Sequence, residues 1–169
     1  MASSSPIEAV IGRLLKEKHL RISAAESCTG GNISRLITSV PGASEYYLGS
    51  VTSYANSVKE NILGVPSDII DTFGAVSGEC VAKMAEGVRR IMGSDLSVAT
   101  SGIAGPGGAT PDKPVGLVWI GVSGPSGTRT LSLVFPFNRT KNIKAFTQAA
   151  LEELLKEIRA YNNPTIDKQ

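Results

Sequence analysis

Three short segments of this 169-residue chain carry side chains that could do covalent chemistry. The first is Glu26-Ser27-Cys28-Thr29-Gly30-Gly31, where small residues precede a helical pattern. Such a junction exposes backbone N–H groups that can bind an anion or the oxyanion of an acyl-transfer intermediate, with Ser27 as the hydroxyl nucleophile. An ordinary helix cap would use the same residues, with Ser27 or Thr29 accepting backbone hydrogen bonds. The second is Tyr54-Ala55-Asn56-Ser57-Val58-Lys59, at a strand end and a helix start. A lysine desolvated enough to be neutral is a documented base for a serine, and a phenol can hydrogen-bond it; a solvated surface lysine is the ordinary alternative. The third is the glycine-dense Ser101-Gly102-Ile103-Ala104-Gly105-Pro106-Gly107-Gly108-Ala109-Thr110. It is neither G-x-G-x-x-G nor a Walker A loop, which argues against a dinucleotide fold or a P-loop. Its backbone could border a substrate, Gly105 included, or form a plain turn.

Scarcity narrows the chemistry further. The chain has one histidine, His19, and two cysteines, Cys28 and Cys80. Zinc sites need three or four clustered ligands and a Ser-His-Asp triad needs a reachable histidine, so any hydrolytic chemistry is expected to be histidine-free and zinc-free. Two lone cysteines make no disulfide framework and fit a reducing compartment. The first 20 residues lack the apolar core of a signal peptide, and the longest apolar run is far shorter than the roughly 20 residues of a membrane span. With a net charge of +2 and no long basic run, neither nucleic acid nor membrane is expected as a partner, and the cytoplasm is the expected location.

These groups must be placed by alternating elements. Ser5-Pro6 and Glu8 read as the start of a helix over about 6–18 with Ile7, Val10, Ile11, Leu14 and Leu15 on one face. Residues 21–26 read as a strand, 29–38 as a helix and 48–55 as a strand. Ser57 with Glu60 has capping-box spacing ahead of a short helix stopped at Gly64, Ser67 is placed to cap another, and Ser77 starts a longer helix ending at Gly93. Strands follow over 96–100, 116–122 and 130–135, the last two joined across Gly124-Pro125-Ser126-Gly127, and a final helix runs over about 140–161 before a polar tail at 162–169. The expectation is one α/β domain, a three-layer α/β/α sandwich around a mixed sheet.

Read together, Ala25-Glu26-Ser27-Cys28-Thr29-Gly30-Gly31, Val40-Pro41-Gly42-Ala43-Ser44, Tyr54-Ala55-Asn56 with Lys59, Gly74-Ala75-Val76-Ser77, Gly102-Ile103-Ala104-Gly105-Pro106 and Lys113-Pro114-Val115-Gly116 resemble the CinA C-terminal domain family. The resemblance runs from about residue 6 to 160. It implies an amidase that converts nicotinamide mononucleotide to nicotinic acid mononucleotide and ammonia, without metal or cofactor. By motif match Ser27 is the nucleophile and Lys59 the general base, with Tyr54 and Ser44 completing the site and Ser44 the alternative attacking hydroxyl. The amides around Thr29, Gly30 and Gly31 are the expected oxyanion donors, on helix-end physics. Arg139 is a candidate for the substrate phosphate, although this chain has Phe137-Asn138-Arg139 where the family commonly has Gly-Asp-Arg. Many members carry a further N-terminal domain, and the expectation here is the stand-alone C-terminal domain. A homo-oligomer is expected on general grounds. A non-catalytic nucleotide-binding or regulatory module, and an amidase for another small amide, are the competing readings.

Overall fold

The computed structural model describes residues 5–161. Twelve residues of helix α1 (Ile7–Lys18) lead into β1 (Ile22–Glu26), α2 (Asn32–Thr38), a short 3-10 turn at Ala43–Glu45 and β2 (Tyr47–Thr52). Three helices follow, α3 (Asn56–Asn61), α4 (Ser67–Phe73) and α5 (Gly78–Met92), then β3 (Leu96–Gly102), β4 (Leu117–Gly124), β5 (Gly127–Val134) and α6 (Arg139–Ala160). The strands form one sheet in the order β2-β1-β3-β4-β5. β1 pairs in parallel with both β2 and β3, whereas β3–β4 and β4–β5 are antiparallel, so the sheet is mixed as expected.

β1 is buried along its whole length and β3 along all but its last residue, because successive side chains alternate between two covered faces. Ile22 and Ala24 of β1 and Leu96 and Val98 of β3 face a core shared with α1, α2 and α6, which supply Ile11, Leu15, Ile33, Ile37, Phe146, Leu151, Leu154 and Ile158. Ala25 and Ala99 point the other way, against Cys80, Val81, Met84, Ala85 and Val88 of α5 and Leu63 and Val65 after α3. The small strand residues on this second face let α5 lie close, and so does Gly87, where a Cβ would sit 2.0 Å from the Leu63 carbonyl oxygen. The result is helices on both faces of the sheet, an α/β/α arrangement.

Several boundaries move for local reasons. α1 starts at Ile7 with Pro6 in the cap position and no side-chain cap, so the Ser5 cap is not made. α3 begins at Asn56, ahead of the Ser57–Glu60 box, again without a side-chain cap. Ser77 does cap α5, accepting from the Cys80 amide at 3.2 Å, and Gly93 ends that helix at φ 63°. The β4–β5 hairpin turns over Pro125-Ser126, with Gly124 paired to Gly127. The tail at 162–169 lies outside the described residues.

Candidate active site

In open α/β sheets, ligands bind at the carboxyl ends of the strands where the chain departs to opposite sides. β1 is flanked by β2 on one side and β3 on the other, and the register puts Glu26 level with both Thr52 and Thr100. Ser27 is the first residue past that edge. Its amide donates to the Thr100 carbonyl at 3.1 Å, and the Glu26 carbonyl accepts from the Ser53 amide at 2.8 Å, so Ser27 and the chain after β2 are locked to the same rim.

The turn from Ser27 to α2 is held by a buried carboxylate. Glu26, fully buried, accepts from Thr29 Oγ1 at 2.7 Å, from the amides of Gly31 and Ile33 at 3.0 Å each, and from the amide and hydroxyl of Ser34 at 2.9 and 2.8 Å. The amino end of α2 is therefore already filled by an anion belonging to the protein. This is why α2 begins at Asn32 and not at residue 29: residues 27–31 form the turn that wraps the carboxylate, with Gly30 and Gly31 at φ 57° and 96°. It also changes the expected oxyanion donors. The Gly31 amide is spent on Glu26 and the Gly30 amide on the Ser27 carbonyl at 3.1 Å. Thr29, Gly30 and Gly31 line a neighbouring cavity of about 370 Å³, separate from the one that holds Ser27. The amide next to the nucleophile, that of Cys28, donates to no carbonyl among the described residues.

Lys59 comes from α3, directly after β2. Its side chain is 1% exposed, and Nζ has three oxygen neighbours: Ser27 Oγ at 3.1 Å, the Ser53 carbonyl at 2.6 Å and the Tyr54 carbonyl at 3.5 Å. No carboxylate pairs with it among the described residues. Burial disfavours the ammonium and pulls the Lys59 pKa below the ordinary lysine value. Burial also pushes the neighbouring thiols up, Cys28 to about 12 and Cys80 to about 11, so both stay protonated at neutral pH and neither competes as a nucleophile.

A cavity of about 230 Å³ opens over this pair, lined among others by Ser27, Cys28, Tyr54, Lys59, Ser101 and Arg139. Tyr54 is 65% exposed, yet its phenol is held: Arg139 donates to Tyr54 Oη at 3.1 Å and to the Gly105 carbonyl at 2.9 Å. The altered segment before Arg139 has a structural use, because Asn138 caps α6 by accepting from the Lys141 amide at 3.0 Å. The structure thus brings together Ser27, Lys59, Tyr54, Arg139 and the Gly105 carbonyl.

It does not bring Ser44. That residue is exposed in the turn ahead of β2, and parallel pairing sets the start of β2 beside the start of β1, with Ile22 level with Tyr47. Five strand residues at about 3.3 Å each separate that end from Ser27, roughly 16 Å. Two residues missed by sequence reasoning matter to the site: Glu26, whose role depends on amides up to eight positions away, and Ser53, whose carbonyl holds Lys59. No spacing rule flags either, since a capping box runs from hydroxyl to carboxylate and not the reverse. Among the described residues, no three His, Cys, Asp or Glu side chains cluster to hold a metal ion, and no helix is long and apolar enough to cross a membrane.

Comparison with known proteins gives the family and the fold. The family model of the CinA C-terminal domain matches residues 4–158. A CinA-like protein of Desulfosudis oleivorans is 49% identical over 153 residues, 90% of this chain and 37% of the relative, and one of Pseudothermotoga lettingae is 54% identical over 132 residues, 78% and 32%. The chain spans about a third of the length of these curated relatives. Among solved structures, the competence damage-inducible protein A of Klebsiella pneumoniae superposes with a TM-score of 0.89 at 28% identity, covering 92% of this chain and 97% of that one. The competence/damage inducible protein CihA of Agrobacterium tumefaciens superposes at 0.81 with 33% identity, covering 92% and 98%. With its fold, its ordered motifs and these matches in agreement, the chain belongs to the CinA C-terminal domain family.

Proposed function

We propose that the chain is a serine/lysine amidohydrolase that cleaves the carboxamide of nicotinamide mononucleotide to nicotinic acid mononucleotide and ammonia. The observation that carries this reading is the buried, carboxylate-free Lys59 within 3.1 Å of Ser27 Oγ at the floor of a cavity. A neutral lysine amine has two hydrogens and one lone pair. The Ser53 and Tyr54 carbonyls accept the two hydrogens, which leaves the lone pair for the Ser27 proton.

The reaction then runs in two halves. Ser27 Oγ attacks the carboxamide carbon while its proton passes to Lys59 Nζ, and the Cys28 amide donates to the oxyanion, as the residue after the nucleophile does in a strand-to-helix elbow. Lys59 returns the proton to the leaving nitrogen, the C–N bond breaks, and ammonia departs from an ester on Ser27. Water, deprotonated by Lys59, attacks that ester; the carboxylic acid leaves and Ser27 recovers its proton. Tyr54, held by Arg139, borders the reacting group. General base catalysis of this kind contributes about 10²–10⁴-fold, and one oxyanion donor about 3 kcal/mol.

The test is ammonia release from nicotinamide mononucleotide, nicotinamide riboside and nicotinamide side by side. Release from the nucleotide supports the reading, and release from none of the three overturns it.

A further inference from the structure

The cavity over Ser27 is small. At about 230 Å³ it falls below the roughly 300–1,000 Å³ of sites that enclose a whole small ligand, so it can take an amide-bearing ring but not a larger molecule attached to one. The second cavity, about 370 Å³, lies between the amino ends of α2 and α6 and is lined by Thr29, Gly30, Gly31, Asn32, Arg35, Thr140, Ile143 and Lys144. The two adjoin: Cys28 and Arg139 line one, while their chain neighbours Thr29 and Thr140 line the other. At 3.80 Å per Cα step, Thr29 lies within about 7.6 Å of Ser27.

The charge of this second cavity is one-sided. Arg35 from α2 and Lys144 from α6 converge on it, and neither pairs with a carboxylate among the described residues. α2 contains no acidic residue, and α6 has none before Glu152. Arg35 spends only Nε, on Asn32 Oδ1 at 3.0 Å, which leaves its terminal nitrogens available. Glu26, which holds the Gly31 amide, is consumed by its own amide donors. Where Gly30 and Gly31 face outward, a Cβ at either would meet nothing within 4 Å, so the floor is open to an incoming group. Arg139, in contrast, is braced between Gly105 and Tyr54.

We infer that the α2–α6 cavity seats the phosphoryl group of the amide substrate, gripped by Arg35 and Lys144, while the amide end enters the cavity over Ser27. A phosphate dianion suits an arginine fork and a lysine ammonium lining one cavity, and the apolar Ile143 in the same lining suits the sugar that joins the two ends. The assignment rests on the amidase reading for the amide end only. The seat itself is a separate claim about an anion.

Two measurements on the intact protein separate these claims. In the first, ribose 5-phosphate is titrated and followed by 31P NMR, without turnover. The wild type is expected to bind it, and the double variant Arg35→Gln/Lys144→Gln to bind at least ten-fold more weakly, whereas Lys141→Gln, outside the cavity, tracks the wild type. Equal binding by wild type and double variant overturns the seat. In the second, kcat/KM is compared for nicotinamide mononucleotide and nicotinamide riboside. The ratio is expected to fall at least ten-fold in the double variant, and an unchanged ratio overturns the link to the substrate. Binding of ribose 5-phosphate that depends on Arg35 and Lys144, without ammonia release from any amide, keeps the seat and removes the amidase reading. Turnover with an unaltered ratio keeps the amidase reading and overturns the link between the seat and the substrate.

Discussion

Lys59 Nζ lies 3.1 Å from Ser27 Oγ, across 32 residues of chain, inside a rim built by the carboxyl ends of three parallel strands. Nothing local creates that contact. It exists because β1 and β2 are paired in register, so the residue after one strand meets the helix after the other.

The pH dependence follows from the burial of Lys59. Its pKa is lowered, and the amine must be neutral to take a proton, so kcat/KM should rise with pH on an acid limb whose midpoint lies below the ordinary lysine value of about 10.4. Stability should follow the same direction. Between the lowered folded value and the unfolded one, the unfolded chain binds the extra proton, so unfolding becomes less favourable as pH rises through that window. The melting temperature of the wild type should therefore gain on that of Lys59→Met as pH rises toward the ordinary lysine value of about 10.4, measured by scanning calorimetry. A wild type that loses ground to Lys59→Met as pH rises contradicts the assignment.

Glu26 should prove the most sensitive buried polar position. Glu26→Gln places an amide NH₂ among five donors, so at least one is left without an acceptor, and a loss of about 3 kcal/mol is expected in urea unfolding. Turnover should fall with it, because the same carboxylate sets the turn that presents Ser27.

Arg139 and Tyr54 should behave as a pair. Tyr54 is largely exposed, so Tyr54→Phe and Arg139→Ala should each change stability by no more than about 0.5 kcal/mol. Their effects on kcat/KM should not add. The double variant is expected to lose less than the sum of the singles, with a coupling of about 0.5–3 kcal/mol, since either change alone breaks the hydrogen bond from Arg139 to the phenol.

Gly87→Ala tests the packing of α5. The new methyl would meet the Leu63 carbonyl oxygen at 2.0 Å, a backbone atom that no rotamer change can move, so about 3 kcal/mol of destabilisation is expected in urea unfolding. The same change at exposed Gly107, where a Cβ meets nothing within 4 Å, should cost far less.

What could be read from the residues was local or motif-bound. Ser77 and Gly93 bracket α5 because caps depend on residues within one turn, and Gly124 to Gly127 mark a hairpin for the same reason. Ser27, Tyr54, Lys59 and Arg139 were legible as candidates because histidine is absent from the right places and the motifs lie in order. The non-local features were not legible. Ser44 ends a motif of the same ordered set, but parallel pairing puts it at the far end of the sheet. The amides of Gly30 and Gly31 suggested an anion site, and only the folded chain reveals that Glu26 has taken the end of α2 for itself.

The central claim is that Ser27 and Lys59 together hydrolyse a nucleotide carboxamide. Its most direct test is steady-state ammonia release from nicotinamide mononucleotide by wild type, Ser27→Ala and Lys59→Met, with circular dichroism showing each to be folded. Turnover is expected from the wild type and a loss of about 10²–10⁴-fold in each variant, with the double variant no worse than the poorer single, because the two groups act as one unit. Wild-type turnover that survives undiminished in folded Ser27→Ala or folded Lys59→Met would contradict it.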